Sequence, residues 1–213
     1  MSYTALYRKY RPQNFENVVG QDIVVDVLKK SIINKKISHA YLFTGPRGTG
    51  KTSIAKIFAH AVNCENFKSD ICNECNSCIY LSTNDSDIIE IDAASNNGVD
   101  EIRTLRENVK LMPAFCRYKI YIIDEVHMLS TGAFNALLKT LEEPPKHVIF
   151  ILATTEPSKI PLTILSRCQR FDFKKISIED LISRLKYIIG CEDRHISDEV
   201  LKKIAENSDG GLR

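Results

Sequence analysis

Five short strand-like runs punctuate the chain, at Ala40–Thr44, Ile88–Asp92, Lys119–Asp124, Val148–Thr154 and Gln169–Phe173. Lys119-Ile-Tyr-Ile-Ile-Asp124 and Val148-Ile-Phe-Ile-Leu-Ala-Thr154 show almost no polar alternation. Such runs suit parallel strands covered on both faces rather than strands with one wet side. Between them lie Thr52–Val62, Val99–Leu111 and Thr131–Glu142, periodic enough and long enough for crossover helices. This alternation predicts a doubly wound α/β domain: a five-stranded, mostly parallel sheet with helices on both faces.

After Phe173 the rhythm changes. Ser177-Ile-Glu-Asp180 is a capping box that opens a helix to about Ile189, and Ser197-Asp-Glu199 starts a second helix fading near Asn207. Two helices without a strand between them predict the start of a small helical domain. The division is therefore residues 1–175 for the α/β domain and 176–213 for an incomplete helical one.

Composition narrows the class without naming it. The 213 residues are 44% hydrophobic and 26% charged, an ordinary globular balance. A net charge of +2 excludes a strongly basic nucleic-acid coat but leaves room for a local basic surface. The first residues, MSYTALYRKYRPQNF, carry charge where a secretory signal needs an apolar core. The longest clean apolar run, Val148–Ala153, falls far short of the roughly 20 residues that span a bilayer. A soluble cytoplasmic protein with no membrane partner is the expectation.

Chemistry enters at Gly45-Pro46-Arg47-Gly48-Thr49-Gly50-Lys51-Thr52, which matches G-x-x-x-x-G-K-[ST] between a strand and a helix. Glycines let backbone N–H groups wrap phosphates, and the helix N-terminus adds positive potential. Lys51 then reaches the β- and γ-phosphates of ATP, and the Thr52 hydroxyl ligates Mg²⁺. The run Ile120–Ile123 delivers Asp124 and Glu125 at a strand's carboxyl end, the edge where open α/β sheets bind ligands. Asp124 suits the magnesium site, and Glu125 suits orienting and deprotonating an attacking water.

Seven cysteines are an odd number, against a purely disulfide framework. Cys116, Cys168 and Cys191 stand singly and are expected to be small core residues. Cys64, Cys72, Cys75 and Cys78 cluster in a stretch too polar to be held by core burial. Four thiolates suit a structural zinc ion, with reduced free thiols or an iron–sulfur cluster as the alternatives.

Several further stretches carry a resemblance: Tyr7-Arg-Lys-Tyr-Arg-Pro12, Val18-Val-Gly-Gln21, His39-Ala-Tyr-Leu-Phe-Thr-Gly45, Asp124-Glu-Val-His-Met-Leu129, Leu137-Leu-Lys-Thr-Leu-Glu-Glu-Pro-Pro145 and Ser166-Arg-Cys168. With them nearly the whole chain resembles the AAA+ P-loop ATPases, and within these the clamp-loader gamma/tau family of bacterial DNA polymerase III. The resemblance implies an ATPase motor that loads a sliding clamp onto primed DNA, with other clamp-loader subunits, the clamp and the DNA backbone as partners. It implies that Arg167 acts in trans on a neighbouring subunit's ATP, and that Thr155 (or Thr154) senses the γ-phosphate. Arg213 becomes a second sensor, and Arg11 and Val19 fall in the part that encloses the base. It favours zinc at the insertion of about 64–80, and makes residues 176–213 the start of a lid. By the same likeness the helices after the second and third strands face DNA, which makes Arg103, Ser130 and Lys139 the contact candidates. Two other readings remain: a non-catalytic ATP-binding scaffold subunit of the same complex, or another AAA+ ATPase. Against an unfoldase, Ala93-Ala-Ser-Asn-Asn-Gly-Val99 offers no aromatic pore residue.

Overall fold

The computed structural model describes residues 4–84 and 86–212. Its elements run α1 (Leu6–Lys9), a 3₁₀ turn at Phe15–Asn17, α2 (Asp22–Ile33), β1 (Ala40–Thr44), α3 (Lys51–Asn63), α4 (Asn76–Thr83) and β2 (Ile88–Asp92). There follow α5 (Val99–Asn108), β3 (Lys119–Asp124), α6 (Thr131–Glu142), β4 (Val148–Thr154), α7 (Leu162–Leu165), β5 (Gln169–Asp172), α8 (Ile178–Cys191) and α9 (Asp198–Asn207). The strands lie in the order β2-β3-β4-β1-β5. Every pairing in this sheet is parallel, so the expectation of a mostly parallel sheet is sharpened to a wholly parallel one.

Burial explains the continuous apolar runs. On one face of the sheet Tyr41, Phe43, Ile120, Ile122, Ile149 and Ile151 join Leu28 of α2, Ile54 and Phe58 of α3 and Leu81 of α4. On the other, Ala40, Leu42, Tyr121, Ile123, Phe150 and Leu152 pack on Ile102 of α5, Phe134 and Leu137 of α6 and Ile164 of α7. Alternate residues of each strand thus enter opposite cores. Cys116 is buried in the first core, whereas Cys168 is half-buried and Cys191 is exposed at the end of α8, contrary to the expectation of three core cysteines.

α5 stops at Asn108, short of Leu111. The buried carboxylate of Asp87 accepts the backbone N–H groups of Ala114, Phe115 and Cys116 at 2.6, 2.9 and 2.8 Å, which fixes the loop leading from α5 to β3. In α8 the Ser177 hydroxyl oxygen accepts from Asp180 N at 3.1 Å, the cap expected there. α8 and α9 pack together around Leu181 and Ala205, with Val19 and Leu212 against the same small core. Gly210, at φ +78°, then turns the chain against Lys175, where a Cβ would stand 2.7 Å from the Lys175 Cβ. Leu212 N donates to Gly48 O at 2.9 Å, which seats this end of the described chain on the phosphate loop. No helix among the described residues is long and apolar enough to cross a membrane.

Asp87→Ala removes the acceptor of three backbone N–H groups, that of Cys116 buried. We expect it to lower the unfolding free energy by on the order of 3 kcal/mol in denaturant titration, and a loss under 1 kcal/mol would contradict this account of the loop.

Candidate functional site

In-register parallel pairing brings the ends of β1, β3 and β4 to one edge, with Thr44 opposite Thr154 and Ile123 opposite Leu152. The phosphate loop leaves β1 there. Gly45, Gly48 and Gly50 take φ of 144°, 81° and 97°, and at Gly45 a Cβ would lie 2.4 Å from the Phe173 carbonyl oxygen. Lys51 is 6% exposed, and its ammonium donates to Gly45 O at 2.8 Å and Pro46 O at 2.7 Å. The Thr49 hydroxyl donates to Pro46 O at 2.9 Å, tightening the same turn. Thr52 Oγ1 donates to Asp124 Oδ2 at 2.6 Å, so the two groups proposed for magnesium already face each other. Their oxygen donor set fits a hard divalent ion.

Glu125, just after β3, takes the left-handed conformation at φ 47°, unusual for a side-chain-bearing residue. Its N–H donates to Asp124 Oδ1 at 2.9 Å, and its Oε2 accepts from Thr155 Oγ1 at 3.1 Å. Thr154 turns away instead: it is fully buried, with its hydroxyl 3.0 Å from His127 Nδ1 and accepting from Glu156 N. Of the two threonines only Thr155 touches the carboxylate of Glu125. His127, whose side chain is 6% exposed, lies 3.5 Å from Glu125 Oε2 and 3.2 Å from Glu156 Oε1. Nothing in the sequence beyond its place in a quoted motif pointed to that histidine.

An open cavity of about 480 Å³ adjoins the loop, within the usual range for small-molecule sites. Gly48–Thr52, Arg47, Asp124 and Glu125 form its polar side; Arg11, Pro12, Val18 and Val19 form the opposite wall. Arg11 Nε donates to Ser53 Oγ at 3.0 Å, tying that wall to α3. Arg184 of α8 also lines the cavity and donates to Tyr10 O at 2.7 Å, a contact across 174 residues that no local pattern could reveal. Arg213 lies outside the described residues.

The remaining candidates stand elsewhere. Arg167 is not among the described residues lining the cavity; it donates to Thr163 O at 2.7 Å and pairs with Glu142 at 2.8 Å. Arg103 pairs with Asp100 on exposed α5, the Ser130 hydroxyl caps α6 by accepting from Ala133 N, and Lys139 is exposed on α6. α5 and α6 pack side by side, so these three share one side of the sheet but make no common contact.

The four clustered cysteine sulfurs lie within 4.8 Å of one another, with Cys64–Cys72 at 3.5 Å and Cys72–Cys78 at 3.9 Å. A tetrahedral ion with metal–sulfur bonds of about 2.3 Å requires sulfur–sulfur edges of about 3.8 Å. The geometry therefore fits one thiophilic ion. The Glu74 backbone N–H, chief among several donors, pulls the Cys72 thiol down to about 6, while burial pushes Cys64 and Cys78 up.

The family model and the curated relatives point to DNA polymerase III subunits. The family model described as "DNA polymerase III, delta subunit" matches residues 20–177. The chain is 62% identical over its whole length to DNA polymerase III subunit tau of Bacillus subtilis, covering 38% of that protein. It is 49% identical to subunit tau of Escherichia coli, again over the whole chain, and covers 33% of that protein. The chain thus spans little more than a third of these relatives' lengths. Among solved structures, the Thermotoga maritima RuvB Holliday junction branch migration motor superposes with a TM-score of 0.69 at 20% identity, over 95% of this chain and 61% of that one.

Elemental analysis of protein purified without chelator should return one thiophilic divalent ion per chain, lost on Cys72→Ser. Protein with no stoichiometric metal would contradict the reading of the cysteine cluster.

Proposed function

The chain belongs to the DNA polymerase III delta-subunit family, has the AAA+ P-loop fold and corresponds to the N-terminal region of the gamma/tau subunits; from this we propose that it is an ATP-hydrolysing motor subunit of the clamp loader. In this reading it works in the cytoplasm with other loader subunits to place the sliding clamp on primed DNA. Residues 1–175 form the ATPase domain and 176–213 begin its lid. The observation that carries the proposal is the meeting of Lys51 and Thr52 with Asp124, Glu125 and Thr155 at one sheet edge.

The geometry supports the roles given to Lys51, Thr52, Asp124, Glu125 and Thr155, and the family resemblance supplies the others. Lys51 exchanges its two carbonyl partners for β- and γ-phosphate oxygens, which carry more negative charge. Thr52 and Asp124 would hold Mg²⁺, which neutralises charge on the phosphates. Glu125 accepts the proton of the attacking water, and Thr155 fixes the carboxylate's direction. Arg11, Pro12, Val18 and Val19 flank the base, and Arg213 is the second sensor. Arg167, held on the surface by Glu142, reaches the site of a neighbouring subunit, so each chain supplies one site's machinery and another site's arginine. Zinc at the four cysteines fixes the insertion that follows α3. Arg103, Ser130 and Lys139 track the DNA backbone by phosphate contacts that read no sequence.

Two variants separate the steps. Lys51→Ala should lose ATP affinity, whereas Glu125→Gln should keep binding and lose hydrolysis by about 10²–10⁴-fold. The rate should rise with protein concentration as sites pair, and Arg167→Ala should remove that rise, since such an arginine contributes roughly 10³–10⁵ in rate. Steady-state ATPase that is independent of concentration and insensitive to Arg167→Ala would contradict a site completed in trans.

A further inference from the structure

We infer that the cysteine insertion braces the base-side wall of the nucleotide cavity, with Asp70 as the positioning residue that joins the two. The inference rests on the nucleotide and metal readings above. Asp70 lies in the stretch between Cys64 and Cys72. Its Oδ1 accepts from Phe15 N at 3.1 Å and from its neighbour Ile71 N at 2.8 Å; its Oδ2 accepts from Glu16 N at 2.9 Å. One carboxylate thus caps the start of the 3₁₀ turn Phe15–Asn17 from a segment more than 50 residues away. Negative charge is favoured at that end of a turn, because its first N–H groups have no partner within it.

Side-chain packing follows the same line. Phe15, 2% exposed, meets Phe67 of the insertion edge to face at 6.5 Å and shares one apolar cluster with Cys64, Cys75 and Cys78. The residues just beyond the turn, Val18 and Val19, line the cavity together with Asn17. Gln21 then donates to Thr49 O at 3.3 Å and Lys174 O at 2.7 Å, which fastens the end of this segment to the phosphate loop and to the strand-end after β5. The wall is therefore anchored at Arg11, at Asp70 and at Gln21. Asp70 stands on the irregular stretch that follows α3, and that stretch is pinned where Cys64 and Cys72 flank it. Gathering four sulfurs around one ion fixes both flanks, and with them Asp70. Metal occupancy and nucleotide affinity are then linked, and the linkage is reciprocal.

The test is equilibrium binding of a fluorescent ATP analogue to metal-loaded and chelator-stripped chain, with hydrogen exchange followed at residues 14–19. Stripping should weaken binding by roughly five-fold or more and speed exchange in that segment. In loaded protein Asp70→Ala should reproduce both effects, stripping should then add nothing further, and Asp70→Asn should fall between. Unchanged affinity in stripped wild-type chain overturns the inference, as does a loss on stripping that simply adds to that of Asp70→Ala. If Asp70→Ala does not fold, stripping and Asp70→Asn decide the matter. Loaded wild-type chain that fails to bind the analogue refutes the nucleotide reading, and chain purified without metal refutes the metal reading; either removes the brace with it.

Discussion

Thr44 faces Thr154 across β1 and β4, and Ile123 faces Leu152 across β3 and β4. Everything at the site hangs on this register. It delivers the phosphate loop, the Asp124–Glu125 pair and Thr155 to one edge, where the 2.6 Å bond from Thr52 to Asp124 can close. A slip of one residue would send Tyr41, Phe43, Ile120 and Ile122 to the opposite face and their neighbours into the wrong core. Two apolar cores, one on each side, hold the register against such a slip. The chemistry is thus positioned by hydrophobic burial that takes no part in it.

At the strand edge the backbone is arranged ahead of any ligand. Three loop glycines occupy positive φ, and Glu125 does so with a side chain. Conformations of this kind cost of order 1–3 kcal/mol each for a non-glycine residue and persist only where the surroundings impose them. Here the surrounding contacts are visible: Asp124 accepts the Glu125 N–H, and Thr155 and His127 both approach the same carboxylate oxygen of Glu125. The ammonium of Lys51 is held by carbonyls whose partial charge phosphate oxygens exceed, so under the proposed function a phosphate group would replace weaker partners rather than order a loose side chain.

What was legible in the sequence is what is encoded locally. The central strands β1, β3 and β4 could be read from nearly unbroken apolar runs, because both of their faces are buried. The phosphate loop is a contiguous motif, and the four cysteines announce themselves by spacing. Residues that act through distant contacts left no such trace. Arg184 reaches Tyr10, Asp70 reaches Phe15, and Asp87 holds the loop before β3 from the turn that precedes β2. α2 was hidden because Ile23, Val27 and Ile33 are exposed beside buried Val24 and Leu28, which blurs its apolar stripe. α4 was hidden within the cysteine stretch, where metal spacing took the eye from the helical positions of Cys78 and Leu81. The choice between Thr154 and Thr155 needed the pleat, since adjacent residues at a strand end point opposite ways.

A crystal structure of this chain with Mg²⁺ and a non-hydrolysable ATP analogue tests the central claim most directly. The account predicts phosphate oxygens at Lys51 Nζ in place of the Gly45 and Pro46 carbonyls, the Thr52 hydroxyl turned from Asp124 to the metal, and the base between Arg11 and Val19. An analogue bound away from the loop, with the Lys51 and Thr52 bonds unchanged, would contradict it.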